Sequence, residues 1–431
     1  MSLAKEITLN FILFVLFVAI IGYAEPSLLK SREFLLGFVC FFGIWVIGSI
    51  SHRILGVNKN RRNKRNTLFP FYFLISFILI FFTVRHLQLT DNRAVKQATL
   101  DDLEANKLII NQNASLDKHS AELITRITQE AASTPARTLS EESIAQIASL
   151  SNSYKPYRKA DADSLSSYQS PERGFLLKNI MDLNLDDATQ LAINKSADYS
   201  YAILENIDWK NKNLSHANLK GAQMKDAILI EANLSEATLE EANLWGAHLS
   251  KSILDNSNFL RANLSWSKLD SASLINANFG SAIIHNSRMR SSNLTDANFT
   301  SAQLNTSLLN NSNLTRTNLF GTDLTDGVLE NCNLSETSFR RTILTRCNAT
   351  KAKFDNAFLQ LAIIDNLDIT DATLDSVSVN GADWISHQLD ENSVKGREKI
   401  KAGFHQVRNK KIENRYIVIK TRVKTDSLNV H

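Results

Sequence analysis

The sequence predicts a repeat solenoid preceded by transmembrane helices and a helical and linker region, on two observations. The first is a five-residue repeat: EANLSEATLEEANLWGAHLS, residues 231–250, places a leucine every five residues and an alanine two places before each. The second is a set of three apolar runs within the first 85 residues. Amphipathic helices have a period of 3.6 and half-buried strands a period of 2. A sustained five-residue period instead indicates stacked repeat units.

The three apolar runs predict a membrane anchor over residues 1–85. They cover about 7–24, 34–50 and 67–84, and each holds 17 or 18 residues without a charge, which is the lower end of what spans a bilayer. Up to three transmembrane helices are therefore expected. The first run also fits a secretory signal peptide within residues 1–24, and that alternative stays open.

The loop between the second and third runs sets the expected topology. Residues 51–66 carry six Lys or Arg and no acid, which favours the cytoplasmic side, although such a loop can also bind anionic lipid. The chain is then a multi-pass protein of the bacterial inner (cell) membrane, with its repeat domain in the periplasm. The tally is seven basic residues inside against five outside, so a cytoplasmic-facing repeat domain remains the alternative.

Residues 86–196 connect the anchor to the repeats. Residues 86–169 read as polar helix followed by a Ser- and Tyr-rich flexible linker. Residues 170–196 predict an N-terminal capping helix region, with Ser170 as N-cap and Pro171 at the first helical position. One apolar face of this helix covers the first repeat and consists of Phe175, Leu176, Ile180 and Met181.

The repeat itself runs without a gap over residues 197–384. It comprises 38 five-residue words with apolar centres from Tyr199 to Trp384, and the residue two places before the centre is small in 34 of them. The other four are Ile207, Lys212, Leu367 and Val377. At Lys212 we expect either a local bulge or an amine that reaches out to solvent.

This array resembles the pentapeptide-repeat family. The words ANLSE, ANLWG, ANLSW, ANFTS and GADWI match the family pattern A(D/N)LxX. The resemblance implies an all-β right-handed quadrilateral β-helix of about 9 coils, four words to a coil. Residues 20 apart then stack, at a spacing of about 4.8 Å and over a rod roughly 45 Å long.

Stacking by 20 predicts inward columns. Phe259, Phe279 and Phe299 are expected to stack as three consecutive rings, within a column that also holds Tyr199, Leu219, Leu239, Leu319 and Phe339. A second buried column is Leu204, Met224, Leu244, Leu264, Ile284, Leu304, Leu324, Leu344, Ile364 and Trp384. Residues 385–431 carry a net charge of +6 and predict a basic C-terminal cap of helix and strand.

No catalytic, cofactor-binding or metal-binding constellation stands out, so the protein is predicted not to be an enzyme. The histidines of the array, His216, His248 and His285, are not 20 apart and do not stack as metal ligands. His248 stacks with Lys268 and Arg288, which disfavours a cation and suits an anion. Three cysteines make no disulfide framework: Cys40 lies in an apolar run, and Cys332 and Cys347 occupy small buried positions.

The family also contains DNA mimics that bind type II topoisomerase and protect it from quinolones. That function depends on a strongly negative rod, whereas residues 197–384 hold 15 basic and 21 acidic side chains, a net charge of −6. A cytoplasmic-facing regulator that binds a macromolecular target such as DNA topoisomerase is therefore kept as the alternative function. No direct nucleic-acid binding is expected.

The best functional lead is a pair of outward tryptophans. Trp245 and Trp266 fall on adjacent coils of one face, with His285 one coil further, and Leu260 and Phe320 protrude elsewhere. Exposed aromatic pairs are enriched in interfaces. The prediction is a non-enzymatic, membrane-anchored scaffold for protein–protein interaction at the bacterial envelope. Its partners are the lipid bilayer and an unidentified protein, a homo-oligomer is possible, and its candidate surface is Trp245, Trp266 and His285.

Overall fold

The computed structural model describes residues 69–161, 164–381, 383–408 and 415–420. The chain divides into two compact units, Met1–Lys96 and Gln97–His431. The predicted spans 7–24 and 34–50 lie outside the described residues, and 67–84 is described from Phe69 onward as helical backbone. Within the described part of the chain, no helix is both long and apolar enough to cross a bilayer. The membrane anchor is thus not supported there.

Helices and one hairpin precede the array. Residues 86–169, predicted to be helix and flexible linker, contain the rest of a long helix, a second helix and an antiparallel hairpin in which Tyr157 pairs with Gln169. The Ser- and Tyr-rich stretch forms this hairpin. The elements are α1 (Phe69–Ser133), α2 (Glu141–Ser153), β1 (Tyr157–Asp161), β2 (Ser164–Gln169), α3 (Pro171–Asp182) and α4 (Asp187–Ser196).

Helix α3 begins where the sequence predicts. Pro171 is its first residue, but the Ser170 side chain caps no backbone N–H and instead donates to the Glu172 carboxylate at 3.2 Å. The Ser170 backbone N–H donates to the Tyr201 carbonyl at 2.7 Å, so this residue joins the helix to the first coil.

The predicted apolar face of α3 is correct except at Phe175. That ring is exposed, whereas Leu176, Leu177 and Ile180 are completely buried and Met181 nearly so. Phe175 and Leu176 are adjacent and point about 100° apart on a helix. Leu177 therefore takes the inward place that the sequence assigned to Phe175.

Each word of the array is a short bridge followed by a four-residue turn. In the coil that begins near residue 232, the Ala237 N–H donates to the Leu234 carbonyl at 3.1 Å, which closes the turn. Its third residue, Glu236, has φ of 58°, as a type II turn requires. Leu234 donates to the Ile253 carbonyl on the next coil at 2.7 Å, and Ile253 returns a bond to Ala232. The backbone is therefore paired within and between coils.

Stacking by 20 is confirmed along the array. Parallel bridges join residues 20 apart from Asp198–Asn218 to Phe358–Ser378, which is the β-helix solenoid. Hydroxyl residues fit the small inward position because the coil below satisfies them. For example, the Ser292 hydroxyl donates to the Leu269 carbonyl at 2.7 Å. A buried Ser or Thr therefore leaves no unpaired donor.

Lys212 enters the array without a bulge. The parallel bridge at the neighbouring Asn213 keeps the 20-residue register, and the Lys212 amine donates to the Met181 carbonyl at 2.7 Å and to the Asn184 side chain. Both acceptors lie at the end of α3. The long lysine side chain thus reaches out of the first coil and binds the cap, while Ile207, Leu367 and Val377 are buried.

The predicted column of phenylalanines is confirmed. The ring centroids of Phe259 and Phe279 are 4.8 Å apart and those of Phe279 and Phe299 4.7 Å, with interplanar angles of 2° and 6°. The spacing equals the distance between hydrogen-bonded strands, so the backbone sets the stacking. All ten members of the second column are buried as well.

The array ends earlier than the word count predicts. The parallel stack stops at Ser378, and Trp384, although buried, begins a short π-helix. Strand β5 pairs with both β3 and β4 in the order β3-β5-β4, so antiparallel pairing replaces the next coil. The C-terminal elements are β3 (Val377–Asn380), the π-helix (Trp384–Gln388), α5 (Leu389–Glu391), α6 (Arg397–Gly403), β4 (Phe404–Arg408) and β5 (Arg415–Lys420).

Candidate functional site

The structure places Trp245, Trp266 and His285 around one corner on three successive coils. The Gly246 N–H donates to the Ser265 carbonyl and the Trp266 N–H to the His285 carbonyl, both at 2.9 Å. Trp245 and His285 therefore belong to one column, and Trp266 to the next column at the corner. The indoles are 38% and 56% exposed. They form no ring contact with each other among the described residues, so they offer two separate aromatic surfaces.

Trp245 is partly covered from below. The Lys225 amine, one coil earlier, lies 4.8 Å from the Trp245 ring centroid, which is a cation–π contact. One face of the indole is thereby held by a charged side chain, and the ring orientation is restricted.

Trp266 occupies a strained position. Its φ is 63°, the left-handed region in which an L-residue with a side chain costs roughly 1–2 kcal/mol. Gly246, one coil below in the same column, has no side chain, and a Cβ there would clash with the Asp226 carboxylate. The indole thus has no side chain at that place beneath it. Strain at an exposed aromatic that the fold does not need points to function.

Across the same corner lies a column of three basic residues. His248, Lys268 and Arg288 are joined by parallel bridges. The Lys268 amine is 2.9 Å from His248 Nε2, and Arg288 Nε is 2.9 Å from the Asp270 carboxylate. The sequence predicted this column, and the structure adds that Lys268 follows Trp266 by two residues around the corner.

The His248 imidazole is held neutral by its surroundings. Burial lowers its pKa below the usual value, Lys268 lowers it further, and Asp226 partly opposes both. The neutral ring can then accept the hydrogen bond that the Lys268 ammonium donates. The ordinary histidine value is about 6.5, so His248 carries no charge at neutral pH.

Replacing Lys268 with Gln is expected to raise the pKa of His248, because a positive charge 2.9 Å from the ring is removed. Burial then remains as the main cause of its depression. NMR titration of the imidazole Cε1–H measures the change, and Lys353→Gln, an exposed lysine at the same place in another word, is the control. An equal pKa in both variants would contradict the electrostatic account.

Two other predicted protrusions are less prominent. Leu260 and Phe320 are half-buried rather than exposed. The Arg341 guanidinium lies 5.8 Å from the Phe320 ring centroid, and the Leu260 side chain packs beside Gly280. Stacking on the next coil covers both residues, so neither forms an exposed anchor.

Sequence reasoning missed an apolar cluster near the end of the array. Phe358, Leu361 and Ile363 are exposed, and Leu361 also has a positive φ, 59°. Phe358 borders an open depression of about 620 Å³ whose other lining residues are Arg316, Glu336 and Asn356. Apolar residues at outward places of consecutive words were the signal that could have revealed it.

Catalytic and metal chemistry find little support in the described residues. No group of three or more His, Cys, Asp or Glu residues there could hold a metal ion. Cys332 and Cys347 are free and buried. Burial raises the pKa of the Cys332 thiol to about 12 and also raises that of Cys347, so both stay protonated and unreactive.

The stacked words match a known family. The sequence pattern described as pentapeptide repeats occurs in eight copies over residues 197–230, 232–270, 272–311, 312–348 and 328–360. The array is a pentapeptide-repeat domain. The strained Trp266 and the column of His248, Lys268 and Arg288 are therefore features added to a repeat whose pattern specifies only the inward side chains.

Solved structures of other pentapeptide-repeat proteins are similar to this domain. HetL, involved in heterocyst differentiation regulation in the cyanobacterium Nostoc sp. strain PCC 7120, is 27% identical; the match covers 43% of this chain and 83% of HetL, with a TM-score of 0.21. Full-length QnrB1, a plasmid-mediated fluoroquinolone resistance protein, is 14% identical over 43% and 97%, with a TM-score of 0.20. Rfr23 from the cyanobacterium Cyanothece 51142 is 24% identical over 31% and 86%, with a TM-score of 0.13. No curated protein sequence shows significant similarity to the chain.

Proposed function

We propose that this pentapeptide-repeat protein is a non-enzymatic scaffold that binds a protein partner through the tryptophan corner, defined as Trp245, Trp266 and His285. Trp266 carries the proposal. It is 56% exposed and has a φ of 63°, so it costs folding energy without contributing to the core. Large, rigid and partly exposed aromatic side chains are the usual anchors of protein interfaces.

The proposal places the domain at the bacterial envelope, on the periplasmic side. Its support is the sequence: three uncharged apolar runs in the first 85 residues and a basic loop at 51–66. Such an anchor would hold the binding surface near the bilayer. A reporter fused to the C-terminus is expected to be active only outside the cytoplasm, and activity confined to the cytoplasm would overturn this placement.

Replacing Trp266 with Asn is expected to stabilise the fold and abolish partner binding. Asn tolerates the left-handed backbone, so the free energy of unfolding should rise by about 1 kcal/mol. The indole that anchors the partner is lost at the same time. Urea unfolding of the purified full-length protein measures the first effect, and crosslinking with mass spectrometry in intact cells measures the second.

Leu361→Asn is the matched control, since Leu361 is also exposed and also has a positive φ. This variant should gain comparable stability and keep the crosslinked partner. Retention of the same crosslinks in both Trp266→Asn and the double variant Trp245→Ser/Trp266→Ser would remove the tryptophan corner as the binding surface.

A further inference from the structure

The basic column, defined as His248, Lys268 and Arg288, departs from the charge pattern of the rest of the array. Elsewhere opposite charges stack one coil apart: Arg316 on Asp296 and Arg346 on Asp326, each with a nitrogen–oxygen distance of 2.6 Å. Like charges directly opposite each other on paired strands destabilise a sheet.

Two further word positions repeat the ordinary pattern. His216 Nδ1 lies 3.1 Å from the Glu236 carboxylate, and the Lys251 amine 3.4 Å from Glu231. Even a histidine of this array thus normally faces an acid on the next coil. In the basic column, by contrast, the Lys268 amine faces the His248 ring at 2.9 Å.

The charge of the basic column is only partly balanced. Asp270 binds Arg288 through its side chain and the Arg290 backbone N–H. Lys268 and the Arg290 side chain form no ion pair within the described part of the chain, and Asp226 acts on His248 only through space. A positive surface therefore remains immediately beside the tryptophan corner.

We propose that the basic column and the tryptophan corner together bind a short acidic segment of a protein that also carries an apolar side chain. The Lys268 amine, with the Arg290 guanidinium, pairs with carboxylates of that segment. The Trp245 and Trp266 indoles cover its apolar side chain. This inference rests on the proposed scaffold function and states the chemistry of its partner.

The dimensions favour a short acidic peptide over a nucleic acid. The basic column spans two coil steps, or about 10 Å, enough for two or three carboxylates. Nucleic acids are bound by longer basic tracks that neutralise many phosphates. The surrounding array carries a net charge of −6 over residues 197–384, and this charge repels an extended polyanion. Local positive charge on a negative rod therefore selects a short anionic segment.

The test is fluorescence anisotropy with the purified full-length protein and a labelled peptide that repeats Glu-Glu-Leu. The matched peptide repeats Gln-Gln-Leu. We expect the acidic peptide to bind more tightly than its neutral counterpart and to weaken with added salt. Lys268→Glu should weaken binding about tenfold or more, as should Trp266→Asn. Lys353→Glu, an exposed lysine at the same place in another word, should leave binding unchanged.

Three results would overturn the inference: no binding of the acidic peptide, equal binding of both peptides, or equal effects of Lys268→Glu and Lys353→Glu. Tighter binding of single-stranded oligothymidylate or of phosphatidylglycerol vesicles at this surface would also overturn it. The scaffold proposal fails separately. If the cellular crosslinks are lost in Trp266→Asn but kept in Lys268→Glu, the scaffold stands and the acidic partner does not.

Discussion

Replacing Phe279 with Ala is expected to lower the free energy of unfolding of the array by about 3–5 kcal/mol. Phe279 is fully buried and lies between the parallel rings of Phe259 and Phe279's other neighbour, Phe299, at 4.8 and 4.7 Å. Its removal leaves a cavity that cannot collapse, because hydrogen bonds hold the neighbouring coils at a constant spacing. Two ring contacts are lost as well.

Urea unfolding and native-state hydrogen exchange measure this effect. Each coil of a solenoid contacts only its neighbours, so exchange should accelerate most in the coils beside residue 279. Phe279→Leu should cost less, about 1–1.5 kcal/mol, because the same column already accepts Leu239 and Leu319. Phe320→Ala, at a half-buried outward ring, is the surface control. A Phe279→Ala effect no larger than that of the control would refute the stacked core.

Replacing Arg173 with Ala is expected to detach the N-terminal cap from the first coil. The buried guanidinium donates from Nε to the Ser151 carbonyl at 3.0 Å and from Nη2 to the Tyr154 carbonyl at 2.7 Å. It also bonds to Ser200 and pairs with Asp198 at 2.8 Å. Breaking such a buried pair by removing one partner costs about 3–5 kcal/mol, since the carbonyls and the acid lose their donors.

Limited proteolysis and hydrogen exchange over α2 and α3 report this loss, because the cap should open before the rod does. Arg173→Lys should be intermediate, since one ammonium cannot reach all the acceptors of a planar guanidinium. Arg316→Ala, which removes an exposed ion pair with Asp296, should change stability little. Equal protease resistance of the Arg173→Ala and Arg316→Ala proteins would show that Arg173 does not hold the cap.

Much of the array was predictable because its packing is local and periodic. The word centred on Leu234 already indicates which side chain is inward, and stacking by 20 then brings Phe259, Phe279 and Phe299 together. The start of α3 was predictable for a similar reason: Pro171 has a preference that acts over one turn. The end of the array was not, because GADWI fits the repeat while non-local pairing with β5 turns the chain away.

The candidate site was predictable only in part. Trp245 and Trp266 stand out in the sequence as large outward residues, and the basic column follows from counting by 20. The contact of Lys225 with the Trp245 ring, the left-handed backbone of Trp266 and the acid-free surroundings of Lys268 did not follow. Each depends on side-chain directions at a corner, which a five-residue pattern does not specify.

The sequence by itself determined the register of the rod, since a small residue and an apolar residue recur at one spacing in almost every word. Only the tertiary structure decided how the rod is closed and what its surface presents. The Arg173 cluster, the β3-β5-β4 sheet and the tryptophan corner each join residues from different coils or elements. Periodic burial is encoded within a few residues, whereas caps and surfaces arise from contacts between distant parts of the chain.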